Sequence, residues 1–193
     1  MKNKGTYTDF REALYQRESG GDYHCVNKYG YLGIAQFGKP RLYDLGYSIG
    51  GWHPKGRPRK NYLSQEDFLI ARNLQDSLFL SHVGQLKRIF KVRYQKYFGK
   101  KILGIEVTLS GLVAGAHLKG PGGVRDFLNG IDNADALDTK ITEYIEKFGG
   151  YDLDYVPQFE LKKNNLSFIP DEEIPEPLPV ELPDRLKKLL KQS

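Results

Sequence analysis

Apolar residues at helical spacing that run up to clusters of glycine constrain this chain more than any other feature. Gly20-Gly21, Gly120-Pro121-Gly122-Gly123 and Gly149-Gly150 each close such a run. The first predicted helix begins near Thr8 or Asp9, where Asp9 and Glu12 have capping-box spacing, and it puts Phe10, Ala13 and Leu14 on one face and Glu18 in its last turn. A second runs from Ser64, with Asp67 three residues on, through Phe68, Leu74 and Leu78 toward Phe90, with Gly84 as the point where it would divide. A third starts at Thr108, carries Leu109, Leu112, Val113 and Ala116, breaks at Gly120, and reopens as a shorter helix through Val124, Phe127 and Leu128. In the fourth, over about residues 139–148, Ile141, Tyr144, Ile145 and Phe148 fall at i, i+3, i+4 and i+7. Residues 29–37, rich in glycine and aromatics, suit a small strand or hairpin. The expected class is mainly α, with that short extended segment as its β part.

At 193 residues, with 39% hydrophobic and 27% charged side chains, the chain has the composition of one ordinary globular domain with an appendage. A helical domain is expected over 1–150 and an acidic, Pro-rich extension over 151–193, extended from Asp171 to Pro183 and ending in a short helix through Leu186, Leu189 and Leu190. No apolar run approaches the roughly 20 residues of a membrane span. The basic N-terminus lacks the apolar stretch of a signal peptide, so synthesis in the cytoplasm without an ordinary export signal is expected. A lone cysteine, Cys25, excludes an internal disulfide. Residues 1–150 hold 23 Lys and Arg against 15 Asp and Glu, an excess of +8, which favours an anionic partner without choosing its chemistry. Basic residues are scattered, with no nucleic-acid reading motif, so a nucleic-acid binder ranks last.

Chemistry concentrates in Arg17-Glu18-Ser19-Gly20-Gly21-Asp22-Tyr23 and in the stretch from Asn27 to Phe37. Glycosidic cleavage needs a carboxylic acid still protonated near neutral pH. A helix C-terminus and apolar surroundings both disfavour ionisation of Glu18, so its pKa is expected to rise. A Glu before two glycines is ordinarily a solvated helix-end residue. The second segment shifts that balance, because Gly33-Ile34-Ala35-Gln36 offers an unobstructed backbone turn and an amide able to hydrogen-bond a sugar. Tyr23, Tyr29, Tyr31 and Phe37 are candidates for groove walls, with core packing as the default for such aromatics.

These residues resemble the lysozyme-like soluble lytic transglycosylases and goose-type lysozymes, whose signature is Glu-Ser-Gly followed by Gly-Leu-Met-Gln; here they read Glu18-Ser19-Gly20 and Gly33-Ile34-Ala35-Gln36. The family's Ala-Tyr-Asn-Ala-Gly-Pro-Gly-Ala-Val is similar to Ala116-His117-Leu118-Lys119-Gly120-Pro121-Gly122-Gly123-Val124, with Tyr and Asn replaced, and its last element resembles Thr142-Glu143-Tyr144-Ile145. The pattern also looks similar to a transglycosylase-like group of phages and secreted bacterial effectors, with Tyr-Leu-Gly-x-x-Gln-Phe-Gly near the acid and Ala-His-Leu-x-Gly-Pro-Gly-Gly-Val later. The resemblance, over residues 8–148, implies a lysozyme-like fold that cuts peptidoglycan glycan strands at the β-1,4 bond between N-acetylmuramic acid and N-acetylglucosamine, as a lytic transglycosylase or a muramidase. It implies Glu18 as general acid and then base, and Tyr144 steering it. Gln36 and backbone around Gly33 would hold the sugar, with Ser19, Tyr31, His117 and Gly120 completing the substrate-binding set.

No second carboxylate stands at a motif position, although Asp22, Asp44 and Glu106 are present. One carboxyl suffices where the substrate's own N-acetyl group attacks the anomeric carbon. The loop Trp52-His53-Pro54-Lys55-Gly56-Arg57-Pro58-Arg59-Lys60 is either a basic attractor of peptidoglycan carboxylates or an ordinary solvated loop. No zinc-ligand spacing and no phosphate-cradling loop occur, so neither metal nor cofactor is expected. The expected setting is phage lysis or an effector delivered by a specialised secretion machine, acting at the cell wall, with an immunity or delivery protein as partner. The rival to an enzyme is a catalytically silent peptidoglycan-binding module of the same fold.

Overall fold

A computed structural model describes residues 4–132, 134 and 138–154. The Pro-rich stretch and the short C-terminal helix expected within 151–193 lie outside them. The described chain is mostly helical, in the order α1 (Tyr7–Ser19), α2 (Lys39–Asp44), β1 (Tyr47–Ile49), β2 (Asn61–Leu63), α3 (Gln65–Ile70), α4 (Arg72–Tyr94), β3 (Lys101–Ile102), β4 (Ile105–Glu106), α5 (Leu109–Leu128) and α6 (Ile141–Lys147). None of these helices is long and apolar enough to cross a membrane.

Helix α5 is the centre of the molecule. Thr108 caps it by accepting from the Gly111 N–H, and residues 110–116 are all buried. Because Gly111 and Gly115 lack side chains, α6 can lie directly against α5. A Cβ at Gly111 would stand 2.6 Å from the Ile145 carbonyl oxygen, and one at Gly115 2.9 Å from Ile145 Cγ1. The expected break falls at Gly120, whose φ of 69° and ψ of 174° interrupt the helix before Pro121 restarts it. An aromatic cluster locks α1 to this centre, with Phe10 set edge-on to Phe148 and Tyr151 and stacked on Phe79.

Three expectations are corrected. Helix α1 starts at Tyr7, because Asp9 is its third residue and not its cap: the Asp9 carboxylate accepts from the Thr6 N–H at 2.7 Å and the Thr6 hydroxyl at 3.0 Å. The helix beginning after Ser64 divides at Ala71 and not at Gly84. There Gln75 Nε2 donates to the Phe68 and Leu69 carbonyls at 3.0 and 3.2 Å, closing the end of α3, while Gly84 continues within α4. Of the small strand or hairpin expected over residues 29–37, a tight hairpin-like reversal bridging Leu32 and Phe37 is present and a strand is not. Gly33 and Gln36 both take positive φ (74° and 46°), which pleated chain excludes, and only isolated bridges pair Leu32 with Val26 and Phe37. The extended structure lies instead in the parallel pair β1 and β2, which closes off the 50–60 loop, and in the β3–β4 hairpin.

The packed unit runs past Gly150. Lys4 N–H donates to the Gly150 carbonyl and Asp152 N–H to that of Gly5, Leu153 is buried, and Asp154 pairs with Lys91 at 2.7 Å.

Candidate functional site

One end of α1 forms the floor of a pocket of about 360 Å³, lined by Arg17 and Glu18, by Asn27, Tyr29, Tyr31 and Gln36 of the following loop, by His117 and Leu118 of α5, and by Thr139 and Tyr144. Glu18 is the only acid among them. Asp22, Asp44 and Glu106 stand elsewhere.

Helix α1 ends where it does because Gly20 adopts a φ of 67° and the Gly20 and Gly21 N–H groups turn back to the Gln16 and Tyr15 carbonyls. That leaves Glu18 in the last turn with 14% of its side chain exposed. The Tyr144 hydroxyl donates to Glu18 Oε1 at 2.6 Å. Burial, then the neighbouring Glu18 charge, push the Tyr144 phenol well up, so it keeps its proton and remains a donor. Its ring is held between Phe148, 5.3 Å away, and the Arg17 guanidinium, 5.7 Å from its centroid. His117 Nε2 lies 3.9 Å from Glu18 Oε1, too far for a hydrogen bond but close enough for its charge state to matter.

The loop after α1 is fixed by its own backbone. Leu32 and Phe37 exchange N–H···O bonds of 3.0 and 2.9 Å. Gln36 Nε2 is occupied, donating to the Gly33 carbonyl at 2.8 Å and that of Cys25 at 3.3 Å, so Oε1 is the part of this amide open to a ligand. Asn27 Oδ1 accepts from the Tyr29 and Tyr31 N–H groups, and this turn displays both rings, 48% and 45% exposed, in the pocket wall. Tyr23 and Phe37 pack inward instead, against Tyr15 and Phe79 respectively.

Of the predicted site residues, Glu18, Tyr144, Gln36, Tyr31 and His117 are brought together. Ser19, Gly33 and Gly120 are not in the lining and shape it from behind. Ser19 Oγ donates to the Ile34 carbonyl at 2.8 Å, tying helix end to loop. Gly33 passes beneath Gln75, whose Oε1 a Cβ at position 33 would strike and which accepts the Ile34 N–H at 2.9 Å. Gly120 turns the chain after His117 and Leu118. Trp52 packs against Tyr43, away from the pocket, and Thr142 bonds Asp132. Among the described residues no group of three or more His, Cys, Asp or Glu is placed to hold a metal ion.

Some residues carried no signal in sequence. Leu118 and Thr139 face the pocket, and on the buried side of α4 three polar side chains, Gln75, Asp76 and His82, sit where apolar packing was expected. Asp76 accepts from the hydroxyls of Tyr15 (3.1 Å) and Tyr23 (2.9 Å), whose phenols burial pushes up. Their only hint was position, since Asp76, Phe79 and Val83 share one helical face.

In comparisons with known proteins, the chain matches no family model, no curated protein and no solved structure.

Proposed function

We propose that this protein cleaves the glycan strands of bacterial peptidoglycan at the β-1,4 bond between N-acetylmuramic acid and N-acetylglucosamine, within a lysozyme-like fold. The observation that carries this is Glu18, the one acid among the described residues that line a pocket walled by two exposed tyrosines, gripped at Oε1 by the Tyr144 hydroxyl. With Oε1 engaged as an acceptor, the transferable proton belongs on Oε2. Glu18 gives that proton to the departing oxygen and afterwards recovers one from the attacking hydroxyl. A single carboxylate among the described lining residues suits a substrate whose own N-acetyl group stabilises the anomeric carbon, after which either water or the muramyl 6-hydroxyl completes the reaction. Tyr29 and Tyr31 offer ring faces to the sugars, and Gln36 Oε1 an acceptor for an N–H or O–H.

Such an enzyme works at the cell wall, released by phage lysis or delivered by a secretion machine, and a delivered toxin of this kind calls for an immunity protein that plugs the pocket. The test is digestion of purified sacculi followed by mass spectrometry. Release of muropeptides with 1,6-anhydro or reducing muramyl ends, lost in Glu18→Gln, is expected. Sedimentation with sacculi without any release identifies a wall-binding module and overturns the assignment.

A further inference from the structure

Behind the candidate acid a line of polar side chains runs through the core. Arg41 of α2 donates from Nε to His82 Nδ1 at 2.9 Å and from Nη2 to Gln85 Oε1 at 2.7 Å. His82 Nε2 then lies 3.3 Å from His117 Nδ1, and the far edge of His117 faces Glu18. Both imidazoles are enclosed, His82 at 4% exposure and the His117 side chain at 6%. The Phe37 ring stands edge-on to each, at 5.3 and 5.6 Å, and Phe79 borders both. A buried histidine pair in contact with an arginine is costly to build by burial alone, and the cleavage described above uses none of Arg41, His82 or Gln85.

The proton positions follow by elimination. A guanidinium is only ever a donor, and it keeps its proton throughout the working range of a protein; the charge of Asp44 supports it against the lowering effect of burial. His82 Nδ1 must therefore present a lone pair to Arg41. A neutral imidazole carries one N–H, which for His82 is then at Nε2, aimed at His117 Nδ1. His117 Nδ1 must accept in turn, so its own N–H sits at Nε2. That edge faces the Glu18 carboxyl. A proton on His117 Nδ1 would oppose two N–H groups at 3.3 Å, or force His82 to turn its own N–H against Arg41. Burial, the largest influence, lowers the pKa of both histidines; His117 and Arg41 lower His82 further, whereas Glu18 and the Ala35 carbonyl pull His117 the other way.

We propose that Arg41 and His82 are positioning residues that fix His117 as the neutral Nε2–H tautomer, so that Glu18 faces an N–H dipole and never an imidazolium. The consequence is chemical. An imidazolium would form an ion pair with Glu18 and withdraw it from proton donation, whereas a neutral N–H polarises the carboxyl and leaves its proton in place. This assignment rests on Glu18 being the acid of the proposed cleavage.

Long-range ¹H–¹⁵N spectra of the full chain, labelled at histidine, test it at neutral pH, because protonated and unprotonated ring nitrogens are well separated in ¹⁵N shift. In the native protein His117 is expected to show an unprotonated Nδ1 and a protonated Nε2, persisting as the pH falls below 6.5, the ordinary histidine value. In Arg41→Leu, with His82 free to reverse, His117 is expected to mix tautomers and titrate closer to 6.5, and the acid limb of kcat for muropeptide release to move to higher pH with KM unchanged. An Nδ1–H or cationic His117 in the native protein at pH 7 overturns the proposal, and that spectrum needs no variant to fold. An Arg41→Leu protein whose His117 is unaltered overturns it as well. The expected tautomers in a protein that releases no muropeptides sink the cleavage and leave the proton assignment standing; release by a protein with His117 Nδ1–H does the reverse.

Discussion

Tyr144 and Glu18 meet from opposite ends of the described chain, and their hydrogen bond is the shortest polar contact made by the candidate acid, at 2.6 Å. Removing only the hydroxyl separates its roles. In Tyr144→Phe the ring stays between Arg17 and Phe148, so the fold is kept, while Glu18 loses the group that orients it. A hydrogen bond to a carboxylate contributes about 1.5–3 kcal/mol, which corresponds to a loss in kcat of roughly 10- to 100-fold. Steady-state release from sacculi checks this, with KM expected to hold; an unchanged kcat would remove Tyr144 from the chemistry. Gln75 makes the contrasting case, acting on the site only through shape. In Gln75→Leu the buried Ile34 N–H loses its acceptor, at a cost of about 1–3 kcal/mol. Urea denaturation should show this as a lower midpoint at constant slope.

At the scale of elements, the site exists because α6 can approach α5 closely enough to set Tyr144 over the end of α1. Gly111 is the tightest point of that approach, and the obstacle a side chain would meet there is the Ile145 backbone, which cannot swing aside. Gly111→Ala should therefore destabilise by about 1–3 kcal/mol through overpacking and, by displacing α6, lower muropeptide release more than the loss of folded protein explains. Thr108→Ala is the control: it removes the α5 cap for about 1 kcal/mol and should leave the turnover of folded protein unchanged. If both variants lose activity only in proportion to stability, the close approach does not set the site. The same elements show what a sequence displays. Helices with apolar stripes and glycine stops were legible because both signals are local, and the segments around Glu18, Gln36, His117 and Tyr144 were legible as motifs. The break at Ala71 was not, since its cause is a side chain four residues on that also reaches the loop at Ile34. Nor was the parallel pairing of β1 with β2, three residues each and joined by an irregular loop. Arg41 and His82 were invisible for a related reason: their link to Glu18 passes through His117, and 35 residues separate the two histidines along the chain.

Across the whole molecule, the buried histidines set how stability should depend on pH. Both have folded-state pKa values below 6.5, mainly through desolvation, so the unfolded chain takes up their protons first. Their contribution is complete above 6.5 and is lost progressively as the pH falls below it, until the folded protein is protonated too. For each proton taken up on unfolding the slope is about 1.4 kcal/mol per pH unit. Carboxylates act in a lower window. Thr6 holds the Asp9 carboxyl below its ordinary 3.8, and the hydrogen bond from Lys91 does the same for Asp154, so their contributions persist above that value and fade only beneath it. Acid unfolding should therefore begin with the core of the candidate site and not with surface ion pairs. Urea midpoints measured from pH 7.5 down to 5 should fall in the native protein and fall less steeply in His117→Gln, which removes one of the two titrating rings and spares Asp9 and Asp154. Equal slopes in both proteins would show that His117 is not held neutral by the fold, and the line from Arg41 to Glu18 would lose its middle member.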